Sequence, residues 1–254
     1  MVKRVIVTPD KHFPYADKKA IKCLIKSIEI IKPDIYVDLG DIGEWESVAH
    51  WQWKKKKRPP LEYQLPSIDK EILVVNECVD EIDEALDKVN CTEKYITEGN
   101  HDDWLNRFAE ENEHEIFDRY RFKNALRLDE RGYEFYPIGD YLKLGHLYLY
   151  HGHHYGGIFH SRNHLLKLGV STMYGHWHDL QQHAVTHMDG AKSAWSIGCL
   201  KDMTSGANAW LGGRKINWSH AFAVVDFFDS GMFTVHIQQI IDGKTSLNGK
   251  LLKG

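Results

Sequence analysis

Cysteine is scarce in this chain, and what there is forms no motif. Cys23, Cys78, Cys91 and Cys199 include no Cys-x-x-Cys pair. That argues against a disulfide scaffold and fits reduced thiols in a cytoplasmic protein. Long apolar runs are also missing: none approaches the ~20 residues of a membrane-spanning helix, so no membrane partner is expected. The apolar part of Met1-Val2-Lys3-Arg4-Val5-Ile6-Val7 is too short for a secretory signal and reads as a first strand. Nor does one sign of charge dominate. Against 36 Asp and Glu stand 32 Lys and Arg, a net charge of −4, so nothing pulls the whole molecule toward nucleic acid. Any such affinity must be local. There is no internal repeat and no low-complexity linker. The 254 residues, 43% hydrophobic, suffice for one large domain over 1–254, with two small domains as the alternative. Histidine is plentiful, and several of the 16 cluster between His151 and His187.

The hydrophobic patterning alternates strands with helices in the first half of the chain and is strand-rich in the second. Val5 to Thr8 reads as a buried strand. Asp17 caps a helix to about Ile31, with Ile21, Leu24, Ile25 and Ile28 on one face. Ile35 to Leu39 is a second strand. Residues 44–66 read as a surface insertion, with Trp45, Trp51, Trp53 and the basic run Lys54 to Arg58. Ser67 to Val89 is a long helix whose stripe (Ile68, Ile72, Val75, Val79, Ile82, Leu86) is expected to pack on a sheet, a coiled-coil partner being the alternative. Further strands are expected at Tyr95 to Thr97, Leu147 to Tyr150, Val170 to Tyr174, Ala191 to Ile197, Ala221 to Phe228 and Met232 to Ile240. Helical sequence is expected from Trp104 to Leu126, and a short helix closes at Leu165 to Leu168. Two packed sheets with outer helices fit this order.

Five short motifs follow strand-like runs in a fixed order: Asp10-Lys11-His12, Gly40-Asp41, Gly99-Asn100-His101-Asp102, His151-Gly152 and Gly175-His176-Trp177-His178. Singly, Asp-x-His and Gly-Asp arise easily by chance, while Gly-Asn-His-Asp and Gly-His-x-His are moderately specific. As an ordered set they supply carboxylate, carboxamide and imidazole groups in the proportions of a two-metal hydrolytic centre. Two carboxylate oxygens let Asp41 bridge two cations, and Asn100 offers a neutral oxygen. Mixed imidazole and oxygen ligation suits Mn, Fe, Zn or Ni better than Ca or Mg.

On these five motifs, spanning Asp10 to His178, the chain resembles the calcineurin-like metallophosphoesterase superfamily. The resemblance implies an α/β fold, a four-layer α/β/β/α sandwich of two mixed sheets with metal-binding loops at one edge. It implies two divalent metal ions, most readily Mn²⁺, with Fe, Zn or Ni as alternatives. Asp10, His12, Asp41 and His178 would hold one ion, and Asp41, Asn100, His151 and His176 the other. His101 matches the catalytic histidine and Asp102 the residue that orients it. The implied reaction is attack on phosphorus by a metal-bridging hydroxide, with His101 protonating the leaving oxygen or stabilising its charge.

Departures from the family pattern bear on substrate. The arginine that follows Gly-Asp in the protein phosphatases is absent from Gly40-Asp41-Ile42-Gly43-Glu44-Trp45, and Gly-Asn-His-Asp looks more like the diesterases and nucleases. Glu44 stands where the family's nucleases often carry a histidine. A carboxylate there would repel phosphate, so the phosphate clamp passes to His50, Lys54 or Arg162. His153 and His154 are candidates to touch substrate, an exposed or supporting role being the alternative. Tryptophans beside a basic run can hold single-stranded nucleic acid by stacking and charge, or can form a solvated loop whose tryptophans pack inward. The run Asn217-Trp218-Ser219-His220-Ala221-Phe222 is similar to small stand-alone phage and bacterial members. The expected function is hydrolysis of phosphodiester bonds in nucleic acid or nucleotide-like substrates. A broad-specificity phosphomonoesterase and a non-catalytic metal-binding scaffold are the alternatives, and oligomeric state is not legible.

Overall fold

The computed structural model describes residues 2–50, 57–112, 115–204 and 206–254. The first half builds β1 (Lys3–Thr8), α1 (Lys18–Ile31), β2 (Ile35–Asp38), α2 (Leu61–Lys88), β3 (Glu93–Thr97), α3 (Asp103–Glu111), a 3₁₀ turn at Glu115–Tyr120, α4 (Phe122–Ala125) and β4 (Tyr133–Tyr136). There follow β5 (Leu142–Leu144), β6 (Leu147–Tyr150), α5 (His160–Leu168), β7 (Ser171–Tyr174), β8 (Leu180–His187) and β9 (Gly190–Ile197). A second 3₁₀ turn at Gly206–Leu211 leads to β10 (His220–Phe227), β11 (Phe233–Ile240), β12 (Lys244–Leu247) and β13 (Lys250–Lys253).

Two mixed sheets result, ordered β11-β10-β1-β2-β3-β4 and β5-β6-β7-β9-β8. β1 to β4 run parallel, as do β6, β7 and β9, with antiparallel strands at the margins. Side chains alternate across a strand, and this sorts the core. Val5, Val7, Val37 and Leu39 of the first sheet meet Leu147, Leu149, Met173 and Ile197 of the second. Ile6, Tyr36 and Ile96 point the other way, against α1 and α2. On the far side, Leu165 of α5 packs with Tyr150, Tyr174 and Ala194. This is the four-layer α/β/β/α order. The stripe on α2 is buried in the helix-facing layer.

α1 starts where its cap predicts: Asp17 Oδ1 accepts the Ala20 amide at 2.8 Å, and Lys32 ends it in the left-handed region. α2 begins six residues earlier than expected, at Leu61, and carries Pro66 inside it. Proline removes one helical donor, but a helix backed by a buried stripe survives that loss. The segment 44–66 is therefore not all surface loop. At its start Trp45 is fully buried, with Val48 and Ala49; its last residues, Leu61 to Pro66, are helix. Trp51, Trp53 and Lys54 to Lys56 lie outside the described residues. The stretch from Trp104 to Leu126 is broken into α3, a 3₁₀ turn and α4. No helix among the described residues is long and apolar enough to cross a membrane.

Candidate metal centre

Strands that run parallel deliver their C-terminal loops to one edge, the usual place for a site in an open α/β sheet. Here the loops after β1, β2, β3, β6 and β7 converge. Asp10, His12 and His178 place ligand atoms within 4.8 Å of one another, and so do Asp41, His151 and His176. His12 Nε2 lies 3.1 Å from His178 Nε2 and 3.7 Å from Asp41 Oδ2. His178 Nε2 is 3.6 Å and His151 Nδ1 4.0 Å from Asp10 Oδ1. His151 Nε2 sits 3.4 Å from Asp41 Oδ2, 2.9 Å from Asn100 Oδ1 and 3.2 Å from His176 Nδ1. All seven predicted ligand residues thus come together, with Asp41 between the two groups.

The loops are locally forced into this shape. His12, Asp41, Trp45, His176 and His178 all have positive φ, between 48° and 66°, a conformation that costs non-glycine residues of order 1 kcal/mol or more and gathers at functional sites. Two motif glycines are required by close approach. A Cβ on Gly99 would sit 2.1 Å from Asp41 Oδ1, and one on Gly175 2.1 Å from Asp10 Oδ2. Both carboxylates also accept backbone donors: His101 N to Asp41 Oδ1 at 2.9 Å, and His176 N to Asp10 Oδ2 at 2.8 Å.

Charge follows from burial set against these neighbours. Burial opposes ionisation of Asp10 and Asp41, but surrounding histidines hold both below the ordinary carboxylate range. Burial lowers His12 to about 4 and His176 to about 3, so both rings are neutral. His151 is also penalised by burial, yet Asp41 and Asp10 lift it to about 9. Buried imidazoles facing each other at 3.1 and 3.2 Å, with carboxylates against them, form a donor set that fits divalent cations of the Mn, Fe, Zn or Ni type.

Glu44 has a task the sequence did not show. Its Oε2 lies 2.9 Å from His12 Nδ1 and 2.6 Å from Lys201 Nζ, all three side chains being buried. It stands as an anion against the far nitrogen of His12, whose Nε2 turns toward Asp41 and His178, the placement by which a carboxylate supports a histidine able to bind metal. Burial raises the Glu44 carboxyl, but His12 and Lys201 bring it down to about 2.

His101 stacks on Trp104, centroids 4.0 Å apart at 29°, and its Nδ1 donates to the Glu44 carbonyl at 3.2 Å. Asp102 does not orient it, contrary to the expectation. Fully buried beneath the loop, Asp102 instead accepts the amides of Ile42, Gly43 and Gly99 at 3.1–3.4 Å and Trp45 Nε1 at 2.8 Å. As the residue preceding α3, it turns its side chain toward the Gly40-Asp41 loop while His101 turns toward the cleft. Burial and the Asp41 charge push its carboxyl up to about 8.

Above these groups opens a cavity of about 540 Å³, lined by His12, Asp41, Asn100, His101, His176 and His178, by Glu44 and Lys201, and by four tryptophans. Of the expected phosphate-clamp residues, His50 and Arg162 are not among this lining. His50 is exposed, Arg162 lies on the exposed face of α5, and Lys54 falls outside the described residues. His153 is near, its ring 6.1 Å from His151 and 6.4 Å from His176, with burial lowering it to about 4.

No family model matches the chain. Its sequence is similar to the Gene 54 proteins of two mycobacteriophages, L5 (25% identical over 99% of both chains) and D29 (24% over 98% of both). Its fold is similar to a single-mutant form of Vps29 from Entamoeba histolytica (TM-score 0.50, 14% identity, 99% of both chains covered) and to Vps29 from Cryptosporidium parvum (TM-score 0.50, 12% identity, 100% and 99% covered). At these identities the structural likeness carries the fold and nothing more: the chain shares the architecture of Vps29.

Proposed function

We propose that the chain is a metal-dependent phosphodiesterase of the calcineurin-like metallophosphoesterase superfamily, acting on nucleic acid or nucleotide-like diesters with two divalent ions. One observation carries this reading. Two groups of ligand atoms, Asp10–His12–His178 and Asp41–His151–His176, buried except for the half-buried His176, lie side by side with Asp41 reaching both. Asn100 joins the second group. A bound pair of cations supplies charge neutralisation for a phosphoryl group and a lowered pKa for water.

The chain's own residues do the rest. His101 has its face on Trp104 and its Nδ1 on the Glu44 carbonyl, so Nε2 is the nitrogen left for substrate. In hydrolysis a water oxygen bonds to phosphorus as the bond to the leaving oxygen breaks. The leaving oxygen takes its proton from Nε2–H of His101, while the proton shed by the attacking water passes to solvent, from which His101 regains its own. Lys201 is committed to Glu44 and does not replace the missing arginine clamp, which favours the singly charged diester over a monoester dianion.

The test is to strip the protein of metal, restore Mn²⁺, Ni²⁺, Zn²⁺ or Mg²⁺ singly, and assay mono- and bis-nitrophenyl phosphate side by side. Diester turnover is expected to exceed monoester turnover; the reverse contradicts the proposal. Asp41→Asn should abolish activity and lower metal content. His101→Ala should retain the metals and lose about 10²–10⁴-fold in rate. Equal metal loss in both variants would refute the role given to His101.

A further inference from the structure

Trp104, Trp177, Trp210 and Trp218 line the cavity from four separate parts of the chain. They lie on α3, on the loop after β7, on the 3₁₀ turn Gly206–Leu211 and just before β10. Three of them are fixed against histidines of the centre. Trp104 stacks on His101, Trp177 meets His176 edge-on at 5.0 Å, and Trp218 meets His178 edge-on at 4.5 Å. Trp177 is further held by stacking on His160 and by donating Nε1 to the Gly152 carbonyl at 3.2 Å. Trp210 stands 6.5 Å from Trp218 and is 56% exposed. An aromatic collar therefore rises directly from the candidate centre, three of its rings packed on histidines and the outermost presenting apolar surface to solvent.

The charge in the cavity is as informative as the rings. Lys201 is the one Lys or Arg among the described lining residues, and its ammonium is spent on Glu44 at 2.6 Å. A groove that tracks a polynucleotide needs a row of free cations along the backbone, and the described lining offers none. The cavity volume of about 540 Å³ falls instead among small-molecule sites, roughly 300–1,000 Å³.

Building on the phosphodiesterase reading, we infer that the collar binds a single nucleobase, so that the substrate is a nucleotide-sized diester read by base stacking rather than a strand held along its backbone. Its phosphate lies over the Asp41 region and its base against Trp210 and Trp218. Every base has a π face, so the collar selects for the presence of a base more than for its identity.

The test compares inhibitors of bis-nitrophenyl phosphate hydrolysis by the Mn²⁺-loaded protein. AMP and ribose 5-phosphate carry the same sugar class and phosphate and differ by the base. AMP is expected to inhibit at tenfold or more lower concentration and to quench tryptophan fluorescence, and Trp210→Ala should cut that advantage to under threefold. A 12-mer of oligothymidylate should bind within about threefold of thymidine 5′-monophosphate. Equal inhibition by AMP and ribose 5-phosphate, with hydrolysis intact, overturns the inference and leaves the phosphodiesterase reading standing. Oligothymidylate binding more than tenfold tighter, and weakening steeply with salt, overturns it in favour of a polymer. If no metal restores hydrolysis, the phosphodiesterase reading falls. The fluorescence titration with AMP then judges the collar alone: quenching lost in Trp210→Ala supports it, and no quenching in the wild type refutes it.

Discussion

At the scale of single residues, Glu44 shows how one side chain can be misjudged by its charge. A carboxylate beside a phosphate site looks unfavourable, yet this one faces His12 and Lys201 and bears on the ligands instead. Its effect should appear in metal affinity. Glu44→Gln keeps the shape and removes the charge, so His12 loses its anionic partner and becomes a weaker ligand. Loss of such a partner costs about 10–100-fold in metal affinity, and we expect a loss in that range for Mn²⁺ by titration calorimetry, with the fold intact by circular dichroism. Unchanged affinity would remove Glu44 from the support of His12. The candidate ligand residues are legible because motif and loop position coincide: Asp10, His12, Asp41, Asn100, His151, His176 and His178 come together at one sheet edge. Asp102 was not. Adjacency to His101 in sequence suggested contact, but successive side chains at a helix start diverge, and Asp102 collects amides from the next loop. The tryptophan collar was equally hidden, since its members are joined only by folding. Trp45, which stands out in the sequence beside the basic run, packs inward, fully buried.

Elements with a regular apolar period were found close to their true limits. β1, α1, β2, β9, β10 and β11 differ from the sequence reading by a residue or two, because burial of one face fixed them. The marginal strands β4, β5, β12 and β13, three or four residues long and only partly buried, do not stand out in the sequence, whereas the equally short β2 is buried at every position and reads as an apolar run. The start of α2 was missed for another reason. Pro66 signals a stop, and packing of the stripe beyond it overrides the signal. Pro66 is exposed and lies inside the helix, so Pro66→Ala should restore a backbone donor without creating a cavity. Set against the added freedom of the unfolded chain, the gain should be about 1–2 kcal/mol, measured as a higher midpoint in urea. A lower midpoint would mean that the proline is needed where the chain enters the helix.

For the whole molecule, two sheets facing across one core place the loops of both at a common edge, and the charges gathered there couple stability to pH. In the metal-free protein His151 is raised to about 9 from 6.5, and Asp102 to about 8 from 3.8. Both are raised on folding, so the folded state binds more protons than the unfolded state until pH passes those values. Stability is therefore lost as pH rises from about 6.5 toward 9, by His151 across the whole interval and by Asp102 up to about 8. The melting temperature of EDTA-treated protein should fall over this interval. Saturating Mn²⁺ should flatten the fall, because a ligated His151 no longer carries the proton. A metal-free melting temperature that is constant or rising from about pH 6.5 to 9 would contradict this charge assignment. The same convergence of loops is the central claim, and anomalous diffraction from crystals grown with Mn²⁺ tests it most directly. Two peaks about 3.5–4 Å apart are expected, with the Asp41 carboxylate touching both. A single peak, or two ions too distant for one aspartate to span, would contradict it.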